Sequence, residues 1–382
     1  MRSAASIASC LSLLLLSGAC GGASDPPPPG EESEGCDGAK LLSVPADPSA
    51  RGPWPVGART VTIGRLRAEI WYPATVGAEA GQATVRYDIR QALNPSQRAI
   101  VPDADNPRQD CDCYRDLPLD AAHGPYPVVV FIHGTAGFRH QSVHQATHWA
   151  SRGFVVIAAD HPGLMLGDLL AQFCPDDPSG TQDLAGDVDK MLQALAAPAG
   201  ELAFLAGRVA MNHVAVVGHS AGGGAAAAAS TRPNVRVIAS LAGNTVAKPG
   251  PDLERVLFMG GKQDQVVSFG QVSTAWMGSA TPRDLVGIAA GGHLVFSDLC
   301  ESKNPAGKDL LAVAQQYNLC GAALAGMLFD CDPAYIPGPR GWEITNYATT
   351  AVLEPALQCS TRTAPLSEVS RYGEAETVMQ AP

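Results

Sequence analysis

The chain has 382 residues, enough for one large α/β domain or two small ones, and 46% hydrophobic against 16% charged residues describes a globular protein with an ample core. A formal net charge of -11 argues against nucleic acid and anionic membrane surfaces as partners. No segment is long and apolar enough to read as a transmembrane helix.

In chain order, Met1 and Arg2 give a short positive start, and Leu11 to Leu16 an apolar core too short to span a bilayer. Residues 1–19 therefore read as an export signal ending at Gly18-Ala19-Cys20. The ending resembles a bacterial lipoprotein box, in which Cys20 is lipidated and becomes the first mature residue; Ser17 stands where such boxes prefer an apolar residue, and plain cleavage after Ala19 is the alternative. Residues 20–45, with the Pro26 to Pro29 run and Glu31, Glu32 and Glu34, lack the apolar content to fold and read as a disordered tether. The main domain is then expected over 46–360, with a frayed tail over 361–382.

Beyond Cys10 and Cys20 eight cysteines remain: Cys36, Cys111, Cys113, Cys174, Cys300, Cys320, Cys331 and Cys359. An even number in an exported chain predicts up to four disulfides whose pairing is open. Cys111 and Cys113 read as two disulfide halves going to different partners, because a zinc site would need a second close pair.

Residues 59–63 and 67–72 alternate around Gly64-Arg65 and predict an antiparallel hairpin. Residues 74–124 are polar, rich in Pro and Asp, and read as a long insertion. Strands are expected at 127–132, 153–159, 212–218, 235–241, 256–260 and 284–288, with helices at 139–151 and 187–197 and a closing helix at 342–357. Loops occupy 164–182, and 300–340 forms a second, Cys-rich insertion. Strands alternating with helices imply an α/β fold with a mostly parallel central sheet covered on both faces.

The stretch around which the rest is organised is Gly218-His219-Ser220-Ala221-Gly222, placed where an apolar β-branched strand gives way to a small-residue helix. This is a G-x-S-x-G nucleophile elbow in its expected context. A serine nucleophile needs a base, the base needs an orienting acid, and in this architecture they follow in the order serine, acid, histidine. His293, in Gly291-Gly292-His293, is the candidate base. Asp264, after the 256–260 strand, is the candidate acid, with Asp298 its competitor through closeness in sequence to His293. The oxyanion hole is expected from the backbone N–H groups of Ala221 and Thr135.

These motifs resemble the α/β-hydrolase superfamily over roughly residues 55–297. Within it, Phe131-Ile132-His133-Gly134-Thr135-Ala136-Gly137-Phe138-Arg139 followed by 150–156 is similar to platelet-activating-factor acetylhydrolases, and Gly218 to Gly224 is similar both to these and to cutinases. The chain also resembles bacterial dienelactone-hydrolase-like proteins, whose nucleophile is a cysteine. The resemblance implies ester hydrolysis through an acyl-enzyme without a cofactor. One departure bears on the acid: the acetylhydrolases carry it after the strand that here ends Ser240-Leu241-Ala242-Gly243-Asn244, where no aspartate stands. The acid then moves to the next strand, as in cutinases and dienelactone hydrolases, and that favours Asp264.

His140, His144 and His148 repeat at helical spacing, which suits a metal pair; the zincin glutamate is missing, and a solvated or capped stripe is the better reading. Asp160-His161 reads either as pocket lining or as a turn into Pro162. The expectation is an exported serine esterase, lipid-anchored at Cys20 in the cell envelope or else secreted, acting on a small-molecule, lipid or polyester ester. It binds no nucleic acid and touches membrane only through that anchor. A non-catalytic binding protein on the same fold and an acyltransferase are the alternatives.

Overall fold

In the computed structural model, which describes residues 30–174, 179–326 and 331–381, every residue of Tyr126–Ile132 is buried. A strand of that kind must be covered on both faces, and it lies near the middle of a ten-stranded sheet. In chain order the strands are β1 (Glu32–Glu34), β2 (Lys40–Leu42), β3 (Val56–Ile63), β4 (Leu66–Pro73), β5 (Arg86–Asp88), β6 (Arg108–Asp110), β7 (Tyr114–Arg115), β8 (Tyr126–Ile132), β9 (Val155–Ala159), β10 (Val209–His219), β11 (Val235–Leu241), β12 (Arg255–Gly261), β13 (Arg283–Ile288) and β14 (Ala375–Ala381). The central sheet runs β14-β13-β12-β11-β10-β8-β9-β4-β3-β7. The pairs from β13 through β9 are parallel, and β4 and β14 add antiparallel flanks. This is the α/β-hydrolase architecture.

Period-two alternation divides the sheet into two cores. Val129, Phe131, Val217, Leu257 and Met259 face one side, under the helices Val143–Ser151 and Gly338–Leu357. Val128, Val130, Ile132, Val216 and Phe258 face the other, under the helices Leu184–Ala196, Ala221–Ala229 and Phe269–Met277. The C-terminal ends of the parallel strands β8 to β13 thus all open on one edge of the sheet.

Three expectations are corrected. The region read as a disordered tether, residues 20–45, carries a hairpin of β1 and β2, and Cys36 within it is bonded to Cys359. The tail over 361–382 is folded: β14 pairs along the whole of β13, so the edge of the sheet is completed from beyond the predicted domain boundary at 360. Cys111 and Cys113 do not go to different partners but to each other. Cys174–Cys320 and Cys300–Cys331 complete the four disulfides, and such a set belongs to an oxidising compartment. The export signal and Cys20 lie outside the described residues, among which no helix is long and apolar enough to cross a membrane.

Candidate active site

Strand β10 ends at His219 and the helix Ala221–Ala229 begins two residues later, leaving Ser220 alone at the turn. Its backbone takes φ 56° and ψ -119°, a conformation that costs a non-glycine residue on the order of 1–3 kcal/mol. The flanking glycines are steric requirements. A Cβ on Gly218 would stand 2.1 Å from the Gly222 carbonyl oxygen, and one on Gly222 would stand 2.2 Å from that of Ile132.

Asp264 follows β12 and His293 follows β13, so both come off the same sheet edge as Ser220. His293 Nδ1 lies 2.8 Å from Asp264 Oδ2. Asp264 Oδ1 accepts the N–H groups of Val266 and Val267, each at 2.8 Å, so the buried carboxylate is held from both sides. Nδ1–H must donate to that carboxylate, which leaves Nε2 as the basic nitrogen. Ser220 and His293 line one pocket of about 170 Å³ together with Thr135, Gly137, Gln141 and the apolar Val266, Leu294 and Leu299.

The competing acid, Asp298, turns elsewhere. Its Oδ2 accepts the His144 N–H and the Gln109 side-chain amide, each at 2.9 Å. Burial pushes its carboxyl up to about 7 against those hydrogen bonds, with a smaller push from the Glu301 charge.

Thr135 also belongs to the pocket. Around it, Gly134 N–H donates to Gln141 Oε1 at 2.9 Å, Ala136 N–H to the Leu164 carbonyl at 2.9 Å, and Gly137 N–H to the Gly134 carbonyl at 3.0 Å. The Thr135 N–H, between these, has no partner among the described residues. Ala221 opens its helix, and a first helical N–H has no partner within the helix. The two expected oxyanion donors are therefore unspent.

Two residues the sequence reading passed over connect these loops. Gln141 takes the Gly134 N–H on its oxygen and donates its amide to His219 Nδ1 at 2.8 Å. His219 Nε2 in turn faces the His293 carbonyl oxygen at 2.9 Å. A carbonyl only accepts, so His219 is protonated at Nε2, and Nδ1 is the acceptor for Gln141. Burial and the neighbouring His293 hold His219 well below its ordinary pKa, which keeps it neutral. The available signal was a histidine inside the elbow motif, a buried polar side chain that must find partners.

The histidine stripe is not solvated as a unit. His140 stacks on Tyr87 with ring centroids 3.7 Å apart, and His148 Nε2 bonds the Pro48 carbonyl at 2.9 Å; both are buried, and only His144 faces outward, against Trp342. No group of three potential metal ligands occurs among the described residues. Asp160 and His161 are structural: Asp160 pairs with Arg139, and His161 Nδ1 with Asp187 at 3.2 Å.

Fold and pocket define the class, an α/β-hydrolase with a serine at the elbow. The family model for platelet-activating factor acetylhydrolase, isoform II, matches residues 99–163. The matched segment holds β8, the Thr135 loop and β9, and ends before Ser220. It supports a platelet-activating-factor-acetylhydrolase-like chain and a serine-hydrolase-like esterase, while the likeness to cutinases and dienelactone hydrolases rests on the sequence motifs. No curated protein matches the chain.

Proposed function

We propose that the protein is an exported carboxylic ester hydrolase in which Ser220 is the nucleophile, His293 the general base and acid, and Asp264 the residue that orients the imidazole. The observation that carries the reading is the pocket shared by Ser220 and His293, with His293 Nδ1 held 2.8 Å from a doubly anchored Asp264 carboxylate. His293 Nε2 takes the Ser220 proton as Oγ attacks the ester carbonyl. The tetrahedral oxyanion is met by the N–H groups of Thr135 and Ala221, a pair whose members contribute ~3–4 kcal/mol each when well placed. The imidazolium returns its proton to the leaving alcohol, which gives the acyl-enzyme. Water, deprotonated by the same nitrogen, then releases the acid and restores Ser220.

The site's own residues supply each of these roles, and the reading calls for no cofactor. The pocket wall is mostly apolar, which suits the acyl part of an ester better than a charged group. Export rests on residues 1–20 as sequence and agrees with the four disulfides, and attachment to the envelope through a lipid on Cys20 completes the proposal.

The test is hydrolysis of p-nitrophenyl esters of graded acyl length by the wild type and by Ser220→Ala, beside covalent labelling by a fluorophosphonate. Turnover and labelling that both vanish in the variant support the reading. A wild type that neither turns over nor labels defeats it and leaves a binding protein on a hydrolase fold.

A further inference from the structure

A second cavity of about 60 Å³ lies in the cap formed by the two insertions, and its lining is almost entirely apolar. The first insertion contributes Ile89 and Val101, the short helix Leu166–Ala171 contributes Leu166 and Leu170, and the second insertion contributes Val313 and Leu319. Five of these six are buried, yet between them they leave a partly open hollow instead of filling it. Interiors ordinarily close such gaps, because side chains facing a void forfeit packing. Arg90 and Asn106 stand at the cavity too: Arg90 is engaged with Asp88 and Asp103, and the Asn106 side-chain amide donates to Asp88, while the Asn106 Oδ1 has no partner among the described residues. The wall a guest meets is therefore hydrocarbon but for Asn106.

The cavity borders the catalytic pocket. Leu166, in its wall, donates its N–H to the carbonyl of Gly137, in the wall of the catalytic pocket, at 3.1 Å. On the apolar side, Leu294 and Leu299 of the catalytic pocket share one packed cluster with Ile89, Leu166 and Leu310 of the cavity. The parts are also fastened together: Cys174–Cys320 ties the end of the Leu166–Ala171 segment to the residue after Leu319, and Cys300–Cys331 packs into the shared cluster.

We propose that this cavity is the binding site for a linear hydrocarbon chain of the substrate ester, reached from Ser220 past Leu294 and Leu299. The proposal rests on the serine esterase reading above. A water needs on the order of 10–15 Å³ of such space, and a methylene is of similar girth, so the cavity holds roughly four to six methylenes. Added to the part of the chain lying in the catalytic pocket, this makes the natural substrate an ester with a medium-length hydrocarbon chain on its acyl or its alcohol side. Each methylene moved from water into an apolar site improves binding roughly fourfold, so four of them are worth on the order of 10²-fold.

The experiment compares kcat/KM along two series, p-nitrophenyl esters from acetate to dodecanoate and acetates of alcohols from ethyl to dodecyl, for the wild type, Ala322→Phe and Leu170→Ala. Ala322 lines the cavity, so the phenylalanine fills it, and removing the Leu170 side chain enlarges it. The expected wild-type profile rises on the order of 10²-fold from the shortest to the octyl-length member in one series. That series identifies the acyl or the alcohol side as the occupant. Ala322→Phe lowers the octyl-length member at least tenfold and leaves the shortest within twofold, and Leu170→Ala moves the optimum to longer chains. A flat wild-type profile, or an Ala322→Phe loss equal on short and long esters, overturns the proposal. Displacement of cis-parinaric acid by decanoate from Ser220→Ala protein separates the two readings. No turnover with saturable displacement sinks the esterase reading and keeps the cavity; short-chain turnover without displacement does the reverse.

Discussion

Gln141→Ala removes a side chain that touches the oxyanion loop and the elbow histidine together. Two buried groups lose their partner: the Gly134 N–H, bonded at 2.9 Å, and His219 Nδ1, bonded at 2.8 Å. Gln141 is itself buried, at 2% exposure, so water reaches neither group without local opening. An orphaned buried polar group costs about 1–3 kcal/mol, so the pair costs about 2–6 kcal/mol. For a chain of this length that is a fall in Tm of about 3–8 °C. The kinetic effect is separate. The freed loop carries the Thr135 N–H, and one misplaced oxyanion donor costs about 10²-fold in kcat, with KM for a short ester little changed. Gln141→Glu is the control: at neutral pH its carboxylate still accepts from Gly134 but has no proton for His219, so it recovers less than half of the lost stability. Melting curves and steady-state kinetics on p-nitrophenyl acetate measure both quantities. A Gln141→Ala protein that melts within 1 °C of wild type and keeps its kcat would refute the bridge as a device that positions the site.

Asp264→Asn leaves the shape of the site and removes the acceptor that fixes the His293 tautomer, so kcat on a short ester falls about 10³–10⁴-fold; Asp298→Asn, outside the pocket, stays within threefold, and a reversal of that order would move the acid. Asp298 also sets a pH dependence of stability. Its folded carboxyl is pushed up to about 7 from 3.8, so between those values the folded state holds a proton that the unfolded state has released. Stability therefore declines as pH rises through that window, by up to about 4 kcal/mol, and is flat above it. Asp298→Asn removes the decline, which melting curves at pH 5 and pH 8 detect as a smaller Tm difference in the variant than in wild type. Cys36→Ser with Cys359→Ser releases a closure over 323 residues of separation and lowers stability by about 2–5 kcal/mol, read as a fall in the urea midpoint at unchanged short-ester activity.

The parallel core was legible because its strands are short apolar runs ended by glycines or by polar turn residues, as in Pro127 to Gly134 and Val235 to Gly243. Ser220 was legible for a related reason: only a glycine pair leaves room for the Gly218–Gly222 crossing, so the steric need is written into the letters. The insertions were not. β5 and β6 are three-residue strands whose partner lies about twenty positions away, and nothing periodic announces them. β14 was missed because Glu376, Thr377 and Gln380 break up its apolar residues without a period-two alternation, and an edge strand half in water tolerates that. Gln141 escaped because an amide between two loops has no spacing rule; it is found only when the acceptors and donors around it are counted.

The Cys36–Cys359 bond joins a residue near the start of the described chain to one just past the end of its last long helix. Nearly the whole enzyme, from Cys36 to Cys359, is thereby a covalent ring. A protease that nicks any loop inside that ring opens it without releasing a fragment, because both cut ends remain attached through the sulfurs. The exposed loops of the cap can be clipped and the molecule still travels as one piece. Only a reductant acting after the cut sets the halves free, so in an oxidising compartment the ring turns proteolysis from fragmentation into scarring.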